Sequence, residues 1–496
     1  MIKSIHSAAR FATMGVAMLA TGCAFGPGKA LPEVAQPNQY GTEIAPERTV
    51  QAEGVAQRIV PVPSPQPYWW RAYGSDALNQ LVDEALANNL DLKTATHRLA
   101  AAREQWVAQT GATTLPTVGV GGDAARQRAL GLPIPGTPNT SLYNTFVGQA
   151  EVRYTFDLFG AIRYDNEALG ERVGQQAYQL QAARNAVAAN VVSGVITLAG
   201  TQAQIREMKR IIELSEHDAR DRARQVELGA ASRTALLDAQ RIAAALTAQL
   251  PGLQAQARAS RHALAVLLGR TPDLAPFDIG FDQLSVPDTV PVVVPSALLQ
   301  SRPDIAAAGA ALRAASADVG LATANMFPRL SLSASMGQAG FDWSTAVSGA
   351  GAIWSAAASL TAPLFQGGAL RAQRRAALQS YEAAVSSYRQ TVLSAFQEVA
   401  DALAELEHGN QSLAAADAAW RAAQAQYEST NMQVQLGAVP PYVARATAQQ
   451  ASQAHQDALR FATARLLETA RLFHAMGGLD DARDDTPQLP VAGSLQ

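Results

Sequence analysis

Few residues in this chain of 496 are spaced to do chemistry. Gly119, Gly121 and Ala124 fit a loosened G-x-G-x-x-A fingerprint, in which glycines let a backbone approach a pyrophosphate at a helix N-terminus. Here the pattern follows only a short strand and opens no apolar helix, so no nucleotide site is expected. The seven histidines (His6, His97, His217, His262, His408, His455 and His474) are scattered without metal-ligand spacing. No nucleophilic serine turn, carboxylate pair or phosphate loop occurs. The chain is therefore read as a non-enzyme, with no catalytic, cofactor-binding or metal site.

One residue does invite chemistry. Cys23 is the only cysteine, so it cannot form an internal disulfide. It follows the apolar stretch Phe11–Ala20, which Lys3 and Arg10 precede, and residues 1–22 read as a signal peptide. Within Leu19-Ala20-Thr21-Gly22-Cys23 the cysteine stands where a bacterial lipobox places the residue that becomes the lipidated N-terminus. The box usually carries leucine three places before the cysteine; Ala20 holds that place and Leu19 lies one further back. An ordinary cleavage site is the competing reading. Acyl chains here would contribute about 0.8 kcal/mol per buried methylene to a membrane anchor.

Composition narrows the class. Charged residues are 16% and hydrophobic ones 48%, with aromatics only 6%. Such an alanine-dominated chain suits helices with thin packing layers. Net charge is -3 with no Lys/Arg block, so no nucleic-acid partner is expected.

The elements that must position everything else come in two kinds. The first is strands. Ala150, Val152, Tyr154, Phe156 and Leu158 alternate with Glu151, Arg153, Thr155 and Asp157. Leu330–Gly337 and Trp354–Leu364 alternate in the same way, and Thr117–Gly122 more weakly. Period two gives each strand one apolar and one polar face. About ten alternating residues are what an outer-membrane barrel strand needs, with lipid outside and a wet lumen inside. Glu151, Arg153 and Asp157 suit that lumen. A soluble sandwich alternates equally well, but only four good strands occur, in two hairpins. Four strands cannot close a barrel, and open edges are not tolerated in lipid. Several copies must then pool their strands; three would give twelve.

The second kind is helices too long for a globule. Ala161–Leu228 is 68 residues free of proline, about 100 Å if helical throughout. In the second half a stripe runs through Val392, Phe396, Val399, Leu403 and Leu406, then Leu413, Trp420, Tyr427 and Val434 at steps of seven. Gly229 and Gly437 are placed to end these helices. Return helices are expected at about Thr234–Leu268 and Tyr442–Met476, and shorter ones near Ser75–Thr110 and Ser296–Ala324. Trp343–Leu370 is long and uncharged, but its glycines, Pro363 and alternation make its second half a strand. A plain helical bundle with a structural role would not explain two inserted hairpins.

Landmarks recur in order. Leu115-Pro116 returns as Phe327-Pro328, Leu158-Phe159 as Leu364-Phe365, Leu268-Gly269 as Met476-Gly477. Gln225–Ala230 returns as Gln433–Ala438 at an offset of 208 residues. This order implies an internal duplication. The expected division is a signal peptide at 1–22, an extended lipid-anchored segment at 23–74, and a first repeat at 75–270 with its hairpin at 115–159. A linker at 271–295 joins it to a second repeat at 296–476 with its hairpin at 327–365, and a tail covers 477–496. The loop-rich pieces, including Pro61–Pro67, are expected around the waist of the molecule.

On these residues the chain resembles the outer-membrane efflux protein (TolC) family, in its lipoprotein branch serving RND-type multidrug efflux pumps. Cys23–Pro27, Leu298–Ala308 (LLQSRPDIAAA), Phe327-Pro328, Pro363–Ala372 (PLFQGGALRA) and Phe396–Leu406 (FQEVADALAEL) carry the resemblance. It implies an α+β membrane protein. Long antiparallel helices would form an α-barrel, and four strands would join a trimeric twelve-stranded outer-membrane β-barrel. It implies a passive exit duct for small hydrophobic or amphipathic compounds. The implied partners are two further copies, a periplasmic adaptor (membrane fusion) protein, an inner-membrane efflux pump and outer-membrane lipid. The implied location is the outer membrane, lipid-anchored and extending into the periplasm. In the family the helix turn leads into G-x-x-x-Y-L-x-L-L-D-A-Q, whose acid lies near the constricted entrance. Leu237-Asp238-Ala239-Gln240 keeps it. In the second half Thr447 stands at the acid's place and Arg445 at a leucine's. Arg233, Asp238, Arg241 and Arg445 are expected to make polar contacts that hold the tip closed, against the alternative of ordinary solvated helix-end charges. A protein-secretion duct of the same architecture and a non-channel periplasm-spanning lipoprotein are the competing functions.

Overall fold

The computed structural model describes residues 26–28, 30–34, 37–41, 46–130, 140–276 and 278–477. Cys23, the stretch 1–22 read as a signal peptide and the residues beyond Gly477 lie outside the described residues. The elements in order are β1 (Arg58–Val62), α1 (Asp76–Asn88), α2 (Leu90–Thr114), β2 (Thr117–Leu130), β3 (Thr140–Phe156), α3 (Ala161–Glu227), α4 (Arg233–Thr247) and α5 (Leu250–Leu267). Then follow β4 (Thr289–Val293), α6 (Pro295–Ser301), α7 (Pro303–Ala324), β5 (Arg329–Gly340), β6 (Ala352–Thr361), α8 (Ala369–Gln435) and α9 (Pro441–Ala475). The chain divides into two compact units. One gathers the residues up to Pro32 with Ala100–Gln175 and Ala308–Tyr388; the other gathers Glu33–Leu99, Gln176–Ala307 and Arg389–Gln496.

The first unit is built on one antiparallel sheet in the order β2-β3-β5-β6. Alternation decides its faces, because residues paired across an antiparallel ladder point the same way. Val118 pairs Val152, Val152 pairs Ala334, and Ala334 pairs Ala356. Every even-numbered strand position therefore shares one face, and every odd-numbered one the other. Where β3 hands over to α3, Phe159 stacks on Phe327 with centroids 4.9 Å apart. Trp106 of α2 donates to the Asn166 carbonyl of α3 at 3.1 Å, and Gln109 donates to Asp165 at 2.6 Å. These bonds tie the strand ends to the helices that feed them.

The second unit holds most of the helical packing. Both long helices are 67 residues, against the 68 expected for the first. On α8 the stripe read from the sequence is the buried one at Val392, Phe396, Val399, Leu406 and Leu413, while Trp420, Tyr427 and Val434 are half-buried. Gly200 of α3 faces α9 so closely that a Cβ there would sit 2.3 Å from the Thr463 hydroxyl. Mid-helix glycine is unfavourable by about 1 kcal/mol against alanine; here it permits the approach.

The structure corrects two expectations and adds detail to another. The first return helix is not continuous: α4 ends at Thr247 and α5 starts at Leu250. Pro251 cannot bond back to Thr247 and its ring crowds that carbonyl. The Pro61–Pro67 stretch and the linker are not loop throughout. Arg58–Val62 and Thr289–Val293 form a parallel two-stranded sheet, with Pro61 opposite Val292. Both strands are edges, where proline's missing donor is tolerated. Third, Asp157 is not a strand residue. β3 ends at Phe156, and the Asp157 carboxylate accepts from the Ile162 and Arg163 amides at 3.0 and 2.8 Å. It caps α3, since the first amides of a helix have no partner within it.

The LLQSRPDIAAA segment gains a physical role. Arg302 is buried between α6 and α7, pairs with Asp304 at 2.6 Å and Glu398 at 2.7 Å, and donates to the Ala475 carbonyl at 2.8 Å. One guanidinium thus joins the α6–α7 corner to α8 and to the end of α9.

Candidate functional site

Two surfaces carry the residues singled out by the sequence, and each follows from its own element. On the sheet, one face presents Val118, Val120, Ala150, Val152, Tyr154, Phe156, Leu330, Leu332, Met336, Trp354 and Leu360 in register. These are not core: Val120 is 86% exposed, Trp354 81% and Met336 70%. Aromatic rings bound the band. Tyr154 and Phe156 make an edge contact at 4.8 Å near the helix end, and Phe146 meets Trp343 at 5.7 Å near the loop end. From Phe156 to Phe146 is ten residues. At about 3.3 Å per residue and a tilt near 40° that is roughly 25 Å, the height of an outer-membrane barrel's apolar band.

The opposite face carries Glu151 and Arg153 together with Gln149, Thr155, Ser331, Ser333, Ser335, Ser355 and Ser359. Arg153 Nε donates to Glu151 Oε1 at 2.5 Å. Ser335 and Ser355 hydroxyls bond across the ladder at 2.9 Å. Polar side chains dominate this face, with Val147 and Ile353 among them, and offer donors and acceptors with no fixed ligand geometry.

At the helix turns the two halves repeat one set of bonds. The Gly229 amide donates to the Val226 carbonyl at 3.0 Å and the Ala230 amide to Gln225 at 2.7 Å; Gly437 and Ala438 do the same to Val434 and Gln433 at 2.9 and 2.8 Å. Both glycines have φ of 72°, the left-handed value this closure demands. Leu228 and Leu436, just before them, are 82% and 77% exposed.

The five entrance residues are not one cluster. Asp238 pairs with Arg241 of its own helix at 2.9 Å, both side chains exposed. Arg233 is exposed at the first turn of α4. Thr447 is buried, its hydroxyl donating to the Ala444 carbonyl at 3.0 Å. It therefore adds no polar group to an entrance surface, contrary to what its place in the motif suggests. Arg445 alone reaches another long helix: its guanidinium pairs with Asp221 of α3. Beside it Arg222 lies over the Tyr442 ring at 4.8 Å. Sequence reasoning missed Asp221. Its one signal is symmetry of position, eight residues before Gly229 as Arg445 is eight after Gly437.

A second charged group along α9 also escaped the sequence reading. Arg465 is buried; it donates to the Ala52 carbonyl at 3.0 Å and to Glu53 at 2.8 Å, and burial lowers its pKa. Burial pushes the Glu468 carboxyl up to about 7, with Glu405 adding repulsion and Arg465 opposing it. Its Oε2 is buried without a hydrogen-bond partner, against the bare backbone of Gly409. His455 stacks on Trp420 at 4.5 Å and contacts Glu207 at 3.2 Å. Burial raises Glu207, but its hydrogen bonds to His455 and Ser452 outweigh that and hold its pKa below the ordinary range.

Comparison with known proteins agrees with this geometry. The sequence profile described as outer membrane efflux protein matches residues 81–270 and 294–478. The pyoverdine export outer membrane protein OpmQ of Pseudomonas aeruginosa is 34% identical over 323 residues, covering 63% of this chain and 66% of that protein. The probable efflux pump outer membrane protein TtgC of Pseudomonas putida is 29% identical over 361 residues, 72% of either chain. Among solved structures, the outer-membrane channel OprN matches with a TM-score of 0.78 at 26% identity, over 91% of this chain and 99% of that one. The Campylobacter jejuni CmeC outer membrane channel matches in fold, with a TM-score of 0.81 at 22% identity over 93% and 96%. The fold is shared over nearly the whole length of these channels, the family profile covers both halves, and the chain belongs to the outer membrane efflux protein family, its work being efflux at the outer membrane.

Proposed function

We propose that the chain is one of three identical subunits of a passive exit duct for small hydrophobic or amphipathic compounds. The observation that carries this is the sheet. Its edges, β2 and β6, are unpaired among the described residues, and one face carries an exposed apolar band from the Phe156 level to the Phe146 level. Free strand edges cannot stand in lipid, and four strands cannot close. Three copies, each β6 edge pairing the next β2 edge, make a closed ring of twelve with Glu151 and Arg153 on the wet side. The duplication read from the sequence gives each subunit two hairpins and two long helical pairs. An adaptor protein docks at the helix turns, where Leu228 and Leu436 stand exposed, and an inner-membrane pump supplies the energy.

Lipidation of Cys23 fits the course of the chain after it. Leu31 lies by Gly309, the Gly28 carbonyl accepts from Ser316 at 2.7 Å, and Gly26 lies by Ser316 and Gly320. Traced backwards, the segment follows α7 toward the end that leads into β5.

At the turns, the Arg445–Asp221 pair is the charge contact that holds the closed state, with Arg233, Asp238 and Arg241 as solvated surface. The decisive test is to purify the protein, reconstitute it in planar bilayers and record conductance alongside its mass in detergent. A heat-labile trimer that conducts supports the duct. A stable single subunit that never conducts would falsify it.

A further inference from the structure

We infer that the outer rim of the sheet binds phosphate-bearing headgroups of the surrounding membrane lipid through Arg126 and Arg128. The inference rests on the proposed barrel, whose even-numbered face is the lipid side. Register fixes the geometry. Ala124 pairs Phe146 at the loop-side aromatic edge of the apolar band, Arg126 pairs Asn144, and Arg128 pairs Leu142. Both arginines therefore continue the apolar face and do not turn toward the polar one. Both are exposed. The acids of this hairpin, Asp123 and Glu151, pair with Val147 and Gly119 on the opposite face, and β5 and β6 contain no acid at all. Asp342, beyond β5 at the same rim, is already engaged by the Thr345 amide and hydroxyl. Among the described strand residues no acid shares the face of Arg126 and Arg128, so two cations stand on a surface that lipid covers.

Height selects the headgroup layer. Two strand residues advance about 6.6 Å, or roughly 5 Å toward the surface after tilt. Arg126 stands about 5 Å beyond the aromatic edge and Arg128 about 10 Å. The headgroup zone on each side of a bilayer is roughly 5–8 Å thick, so the Arg126 backbone stands within it and that of Arg128 just above it, from where the long side chain reaches back. Within the band an arginine is costly; at this level its stem can lie on the apolar edge while the guanidinium meets phosphate oxygens, a bidentate fit. A free phosphate would find no enclosed site on an open sheet. A lipid held from below by the apolar face brings its phosphate to the right height.

The test uses full-length protein reconstituted in phosphatidylcholine vesicles. Trace nitroxide-labelled phosphatidylglycerol or phosphatidylcholine reports, by electron spin resonance, which lipid the protein retains. Each arginine near an anionic surface is worth about fivefold in lipid preference. Wild type should prefer phosphatidylglycerol, the preference should drop by about fivefold or more in R126Q/R128Q, and it should fall with salt. Adding Asn144→Arg, on the same face opposite Arg126, should restore it. Adding Gln127→Arg, on the other face, should not. Conducting vesicles whose preference ignores R126Q/R128Q, or is restored equally from either face, overturn the rim assignment alone. Vesicles that never conduct overturn the duct and the rim with it.

Discussion

At the scale of single residues, two charges make measurable claims. Arg445 and Asp221 join two long helices beside their turns, with side chains 24% and 34% exposed. A pair this accessible is worth about 1 kcal/mol, roughly a fivefold shift between closed and open tips. Arg445→Ala and Asp221→Ala should each raise leak of a bulky antibiotic through the reconstituted channel several-fold, and the double variant no further. Asp238→Ala should leave leak unchanged, because its partner Arg241 sits on the same helix. Equal leak from all of these variants and wild type would remove the latch. Glu468 makes the second claim. Its folded pKa of about 7 lies above the ordinary 4.5, so the fold favours its protonated form. Stability from this group is complete below about pH 4.5 and is lost as pH rises through about 7. Glu468→Gln should therefore melt a few degrees higher than wild type near pH 8 and together with it near pH 5. A difference of the opposite sign would mean the carboxylate is paired in the assembled protein.

Elements are held by closeness as much as by apolar area. The α3–α9 crossing at Gly200 and Thr463 has no room for a methyl group. Gly200→Ala should cost about 1–3 kcal/mol by overpacking, and Thr463→Ala added to it should recover part of that loss in thermal unfolding. Alanine-rich stripes extend the same logic along α8 and α9, where Ala395, Ala402, Ala448, Ala451, Ala458 and Ala462 are buried. A residue of that size contributes little transfer energy and lets helices approach on more than one side. Large side chains such as Ile196, Ile211 and Leu406 are interspersed among them, and Trp69 stacks on Phe473 at 5.5 Å.

For the whole molecule the sheet is decisive, since both of its faces carry exposed residues. Every residue of β6 is exposed. Ala356 lies on the apolar face and Ala357 on the polar one. An arginine in the middle of a lipid face costs about 2–4 kcal/mol, whereas a wet lumen accepts it. Ala356→Arg should therefore lower the yield of membrane-inserted, heat-labile oligomer, and Ala357→Arg should insert normally while changing conductance. The two variants carry the same charge one residue apart, so a shared outcome would mean that the sheet does not divide lipid from water.

What the sequence determined by itself is whatever short-range periodicity can write. Alternation assigned Glu151 and Arg153 to one face and Val152 and Tyr154 to the other before any pairing was known. The end of the alternation and the glycine turn bounded α3 to within a residue, and Gly229 and Gly437 marked both turns because that closure needs a left-handed residue. Asp157 was misread because its carboxylate answers to the helix after it, not to the strand before it. Only the tertiary structure decided the rest. It joined β1 to β4 across most of the first half, chose Asp221 as partner for Arg445, and turned Thr447 inward onto its own backbone. It also left Glu468 buried against Gly409. Periodicity says which side of an element is apolar, but which element lies against that side is set by packing between segments hundreds of residues apart, where sequence spacing carries no information about distance.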